Sequence, residues 1–194
     1  MLNLLKSVAA AVLFVAGTGV LSADEPAASG DVTTVKLKEL TLQLPKSWAE
    51  SDVKNSMRLA TYEIPAAAGD KEKGELTVST FPGGGGGVDA NLARWIDQFE
   101  GKGRMTVVKK GQAGENQYYI AEISGTYKKP VGPPILRKSE PAQGFRMLAV
   151  IVVLKNEEVY FVKLTGPDAT VKAQAEALRK TFGGKSESEE AYEL

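Results

Sequence analysis

Residues 145–164, FRMLAVIVVLKNEEVYFVKL, hold the most hydrophobic strand-like runs of the chain, and their reading decides the fold. Two runs rich in β-branched residues, 145–154 and 159–164, flank the polar link Asn156, Glu157 and Glu158. Such runs joined by a short polar turn read as a hairpin at the centre of a sheet.

Working toward the amino terminus, residues 106–109 and 117–127 read as a second hairpin pair around a glycine-containing turn. Between the hairpins, residues 128–143 are punctuated by Pro130, Gly132, Pro133, Pro134 and Pro141. Proline cannot donate to a ladder, so this segment is expected to be a loop rather than a central strand. Residues 75–81 (ELTVSTF), 57–64 (MRLATYEI), 40–44 and 32–38 alternate apolar and polar side chains, as half-buried strands do. Trp48, after Pro45, is expected to close the core edge.

Two helices are expected. After Pro82 and the five glycines Gly83, Gly84, Gly85, Gly86 and Gly87, the residues Leu92, Trp95, Ile96 and Phe99 recur at helical spacing. Asp89 is placed to cap that helix and Gly101 to terminate it. The second starts at Gly166-Pro167-Asp168, with Pro167 in the first helical position and Val171, Ala175, Leu178 and Phe182 as its apolar stripe. Residues 185–194 read as a short, frayed acidic tail. Strands, helix, strands, helix with hairpin-length links imply an α+β fold. Its sheet is mainly antiparallel, with about six to eight strands and two main helices in an α/β/α sandwich.

The amino terminus carries an export pattern. Lys6 ends a short charged region, residues 7–21 (SVAAAVLFVAGTGVL) are uncharged and mostly apolar, and Ser22-Ala23 supplies small residues before Asp24. The run is shorter than the ~20 residues a spanning helix needs. The expectation is a signal peptide over 1–23, a disordered leader over 24–31, a single domain over 32–184 and the acidic tail over 185–194. That places the mature chain in the periplasm or medium of a bacterium. An uncleaved anchor is the alternative reading of the same segment.

Composition narrows the chemistry. The chain has no cysteine, hence neither a disulfide nor a lipid-bearing thiol, and no histidine, the commonest general base and zinc ligand. A serine triad is therefore impossible, and no D-x-D-x-D-G calcium loop occurs. No residue set calls for a metal or a cofactor. With 24 basic and 24 acidic residues, the chain lacks the basic excess of a nucleic-acid binder. A pair of carboxylates meeting in space stays open as a hydrolytic site.

Three segments could bind. Gly83, Gly84, Gly85, Gly86 and Gly87 lie between a strand and a helix, where backbone N–H groups can hold an anion. A phosphate loop wants Lys and a hydroxyl next, whereas Val88-Asp89-Ala90 follows. As a plain crossover, the run should have some glycines at negative φ that tolerate alanine. Asn91, Arg94 and Gln98 share one helix face, suited to holding a ligand or a neighbouring loop. Lys128, Lys129, Arg137 and Lys138 bracket the proline-rich segment, a semi-rigid basic loop able to dock an acidic surface or a lipid headgroup.

Residues 56–60 (SMRLA), 91–99 (NLARWIDQF) and 160–167 (YFVKLTGP), taken together, resemble a family of uncharacterised exported bacterial proteins. The likeness covers most of residues 40–183, and N-L-x-R-W-x-x-Q-F is its most specific piece. The element order is similar to the PsbP/Mog1-type sandwich, used by the photosystem II subunit PsbP and the Ran-binding protein Mog1. That resemblance implies a binding or assembly module and transfers neither of those two activities. The first expectation is an exported non-enzymatic module binding a protein or envelope component through a sheet edge and the basic loop. Second comes a small-ligand or anion-binding protein using the glycine loop and Arg94. A carboxylate-dependent hydrolase is third.

Overall fold

Both faces of the 145–164 hairpin are apolar because both are covered. The computed structural model describes residues 31–52 and 57–194. The expected signal peptide and nearly all of the leader therefore lie outside the described residues. In chain order the elements are β1 (Val32–Leu37), β2 (Leu40–Pro45), β3 (Ala49–Glu50), β4 (Ala60–Ile64) and β5 (Gly74–Thr80). There follow α1 (Val88–Ile96), β6 (Met105–Ala113), β7 (Asn116–Pro130), β8 (Ser139–Val153) and β9 (Val159–Pro167). The chain closes with α2 (Asp168–Ala173), α3 (Ala175–Thr181) and β10 (Glu190–Ala191).

Eight strands form one antiparallel sheet in the order β10-β6-β7-β8-β9-β5-β4-β3, with β8 and β9 at its centre. Leu148, Val150 and Val152 of β8 face one way, packed with Tyr160, Val162 and Leu164 of β9. The helical pair α2–α3 covers that face through Val171, Leu178 and Phe182, beside the separate β1–β2 hairpin through Leu40, Leu42 and Leu44. Trp48 is buried in the same cluster. Met147, Ala149 and Ile151 face the other way, where α1 covers them through Leu92 and Trp95, with Phe99 just beyond its end. The result is the expected α+β sandwich, helices on both faces of a mainly antiparallel sheet. Among the described residues, no helix is long and apolar enough to cross a membrane.

The structure corrects five local expectations. First, residues 128–130 and 139–142 are paired strand, with Lys128 opposite Pro141 and Pro130 opposite Ser139. The Val131 N–H donates to the Lys138 carbonyl, so 131/138 is a hydrogen-bonded pair. Alternation then puts Pro130 and Pro141 at non-hydrogen-bonded positions, where the missing N–H would point away from the partner strand. Both prolines thus fit a ladder the sequence rule had excluded.

Second, α1 starts one residue early and ends at Ile96, well before Gly101. Beyond it the Lys128 N–H donates to the Gln98 carbonyl and the Glu100 N–H to that of Thr126, so residues 98–100 lie along β7 instead of continuing the helix. Asp89 does not cap. Its carboxylate accepts the Tyr192 hydroxyl at 2.7 Å. Third, Pro167 remains in β9, opposite Phe145, and stands at the N-cap of α2 instead of inside it. Fourth, residues 185–194 are not frayed: β10 pairs with β6, and the Tyr192 N–H donates to the Val108 carbonyl.

The fifth correction concerns the glycine run, where some negative φ values were expected. Gly83, Gly84, Gly85, Gly86 and Gly87 all have positive φ, from 63° at Gly85 to 99° at Gly86. Gly83, Gly84 and Gly85 make a left-handed turn, closed by the Gly84 N–H on the Phe81 carbonyl. The Asn91 side-chain amide ties it further by donating to the carbonyls of Gly85 and Gly87. At Gly86 a Cβ would meet open space, so its backbone conformation alone disfavours a side chain. Left-handed backbone carries a steric penalty for any L-residue. Gly85→Ala also brings Cβ to 3.1 Å from the Phe161 ring. We expect it to destabilise the fold by about 1–2 kcal/mol, read as a lower urea midpoint. A neutral result would restore the permissive-crossover reading.

Candidate functional site

Where α1 leaves the sheet uncovered, a cleft of about 630 Å³ opens toward the β7–β8 ribbon. Its floor is the α1-side face of the sheet, with Thr77 and Ser79 of β5 opposite Lys163 and Phe161 of β9. Arg94 and Trp95 of α1, then Asp97 and Gln98, form one side. Lys128, Pro130, Val131, Pro133, Arg137 and Lys138 form the other, and Met57 and Arg58 complete the rim. Among the described residues, six cations line this space against one carboxylate, Asp97, which is 82 % exposed.

Lys163 is the centre of its electrostatics. Period-two alternation in β9 turns it into the cleft, where its ammonium contacts the Gln98 amide oxygen at 3.5 Å. Burial lowers its pKa to about 8; Arg58 and Arg94 push the same way, while Glu75 opposes. Arg58 is itself paired with Glu75 at 3.2 Å. Arg94 donates to the Asn91 side-chain oxygen in a short contact, and the Lys128 ammonium to the Asp97 carbonyl at 3.0 Å. Among the described residues, no carboxylate pairs with Lys163, Arg94, Arg137 or Lys138. An excess of positive charge converging in a partly dry space, with Glu75 and Asp97 offsetting only part of it, favours an incoming anion.

Of the residues singled out from sequence, the cleft unites Arg94, Gln98, Lys128, Arg137 and Lys138. Asn91 is buried and serves the glycine turn, and Lys129 pairs with Glu72 at 2.5 Å. Gly83, Gly84 and Gly87 line a different depression of about 650 Å³, together with Lys38, Glu157 and Glu158. Gly85 and Gly86 line neither that depression nor the cleft. The positive φ values meet one condition of an anion nest. Against it, the carbonyls of Gly85 and Gly87 accept from Asn91, and two carboxylates stand nearby. Sequence reasoning missed Lys163, Arg58, Thr77 and Ser79. For Lys163 there was a signal, a single cation inside the apolar run VYFVKL.

Comparison with protein-family models gives no match, and comparison with curated proteins gives none either. Among solved structures, the fold is similar to the cyanobacterial PsbP (CyanoP) of Synechocystis sp. PCC 6803, with TM-score 0.46 and 13 % identity, over 90 % of this chain and 100 % of that one. It is also similar to a Pseudomonas aeruginosa protein of unknown function, with TM-score 0.41 and 15 % identity, over 78 % of this chain and 93 % of that one.

Proposed function

We propose that the chain is an exported, non-enzymatic binding module whose cleft takes a small anionic ligand, a carboxylate or phosphate held between Arg94, Lys163 and the basic loop. It would belong to the uncharacterised exported bacterial family that its N-L-x-R-W-x-x-Q-F stretch resembles. One observation carries the reading: a half-buried lysine with no carboxylate partner among the described residues, flanked by Arg58 and Arg94 in an open cleft. Among the described residues, Asp97 is the only carboxylate lining that cleft, which gives a paired-carboxylate hydrolase no support there.

Lys163 supplies the test. It titrates at about 8 in the folded chain and at 10.5 in the reference state. Between those values the unfolded chain binds the extra proton, so the lysine's contribution to stability rises with pH across that window. Below about pH 8 the charged amine costs the fold roughly 3 kcal/mol. We therefore expect Lys163→Met to stabilise the protein by roughly 1–3 kcal/mol at pH 7. Phosphate, sulfate and citrate should raise the melting midpoint of the wild type by mass action and leave the variant unmoved. Affinity should fall as pH rises through about 8, because the ligand binds the ammonium form. A variant that is less stable and still anion-responsive would refute the reading.

A further inference from the structure

The β7–β8 ribbon extends past its neighbours: on the β7 side residues 98–100 reach Lys128, on the β8 side β9 reaches Phe145, while β7 and β8 stay paired to Pro130 and Ser139. The turn that closes it carries Ile135 and Leu136, 87 % and 54 % exposed. Ile135 is the most exposed of the large apolar side chains described, and neither residue lines the cleft. Arg137 and Lys138 follow directly, and Lys128 lies on the opposite strand; Lys129 is already neutralised by Glu72. The chain's formal net charge is zero, so this basic character is local.

We infer that the ribbon tip docks the protein on a bilayer surface containing anionic phospholipid, with Ile135 and Leu136 entering the interface and Arg137, Lys138 and Lys128 meeting headgroup phosphates. A tip with two aliphatic side chains is far too small for a stable protein interface, which takes roughly 800 Å² from each partner. A bilayer asks for no matching hollow. It accepts a few apolar side chains at the headgroup boundary while its charge attracts the flanking cations, and two such weak signals together suffice for reversible attachment. This docking surface goes beyond the cleft reading and uses residues, Ile135 and Leu136, that the cleft does not.

Leu136→Trp places a reporter at the tip, against a constant background from Trp48 and Trp95, which are both buried. Its emission should shift to the blue with vesicles containing phosphatidylglycerol and stay unchanged with phosphatidylcholine alone. Adding Ile135→Asp should weaken vesicle binding by at least about tenfold. Arg137→Gln with Lys138→Gln should weaken it by about thirtyfold at low salt. Lys163→Met should bind vesicles as the parent does. All these positions but Lys163 are on the exposed turn, and unchanged melting curves would show that the tip variants fold. No shift with phosphatidylglycerol, an equal shift with phosphatidylcholine, or undiminished binding by Ile135→Asp would overturn the inference. So would loss of vesicle binding on Lys163→Met with the tip variants unaffected, which would place headgroup capture in the cleft.

Discussion

Arg179→Ala is expected to lower stability by about 3–5 kcal/mol, because it leaves a carboxylate buried without its main partner. Arg179 is 2 % exposed on α3 and the Glu189 side chain 0 %. The guanidinium grips Glu189 with two bonds, Nε to Oε1 at 2.6 Å and Nη2 to Oε2 at 3.0 Å. Nη2 also reaches Glu122 at 2.6 Å, and Nη1 the Ala175 carbonyl at 3.2 Å. Burial alone would lower the arginine's pKa, but the bonds to Glu189 and Glu122 more than offset this and hold it above its ordinary value. Without Arg179, the partners left to Glu189 among the described residues are Lys109 at 3.4 Å and the Tyr118 hydroxyl at 3.2 Å. Equilibrium urea unfolding reads the loss, and limited proteolysis should show residues 186–194 released first. Arg179→Met combined with Glu189→Met should recover much of the stability, since the fully buried carboxylate goes with its partner and Glu122, 26 % exposed, still has Arg146 at 3.9 Å. A loss below about 1 kcal/mol would mean that the ion pair contributes no more than an exposed one.

Trp95→Ala should cost about 3–5 kcal/mol, as emptying a buried aromatic site does. Trp95 is 5 % exposed and meets the Phe161 ring edge-on at 5.9 Å, inside the cluster that α1 closes over β8. It also lines the cleft, so the substitution widens the anion site. Chemical denaturation and anion-dependent melting should therefore change together. Unchanged stability with lost anion response would make Trp95 a contact residue instead of a core one.

The central β8–β9 hairpin and the apolar stripe of α1 could be read from the chain, because each follows from a local period. Runs apolar on both faces imply a covered sheet, and residues 92, 95, 96 and 99 imply one helical face whatever they pack against. Hairpin-length links then imply antiparallel neighbours, and two helices imply the sandwich. Local chemistry misled at Pro130 and Pro141, since whether a proline disrupts a ladder depends on which pair type the register gives it. It misled again at residues 185–194, polar in composition yet anchored by a glutamate whose partner lies ten residues back, on α3.

The cleft was legible only in pieces. Lys128, Arg137 and Lys138 stood out as one basic loop and Arg94 on a helix face, but nothing in the sequence says that the loop and Arg94 meet. They converge because β5, β9, β8 and β7 are consecutive in the sheet and α1 covers only part of that face. The same order buries Lys163 beside Arg58 and Arg94, and that burial, helped by the two arginines, lowers its pKa. Sequence by itself therefore determined the layers of this protein, which depend on short-range periodicity. The tertiary structure alone decided its charge constellation, because the field at one side chain is a sum over residues that only the sheet order brings together.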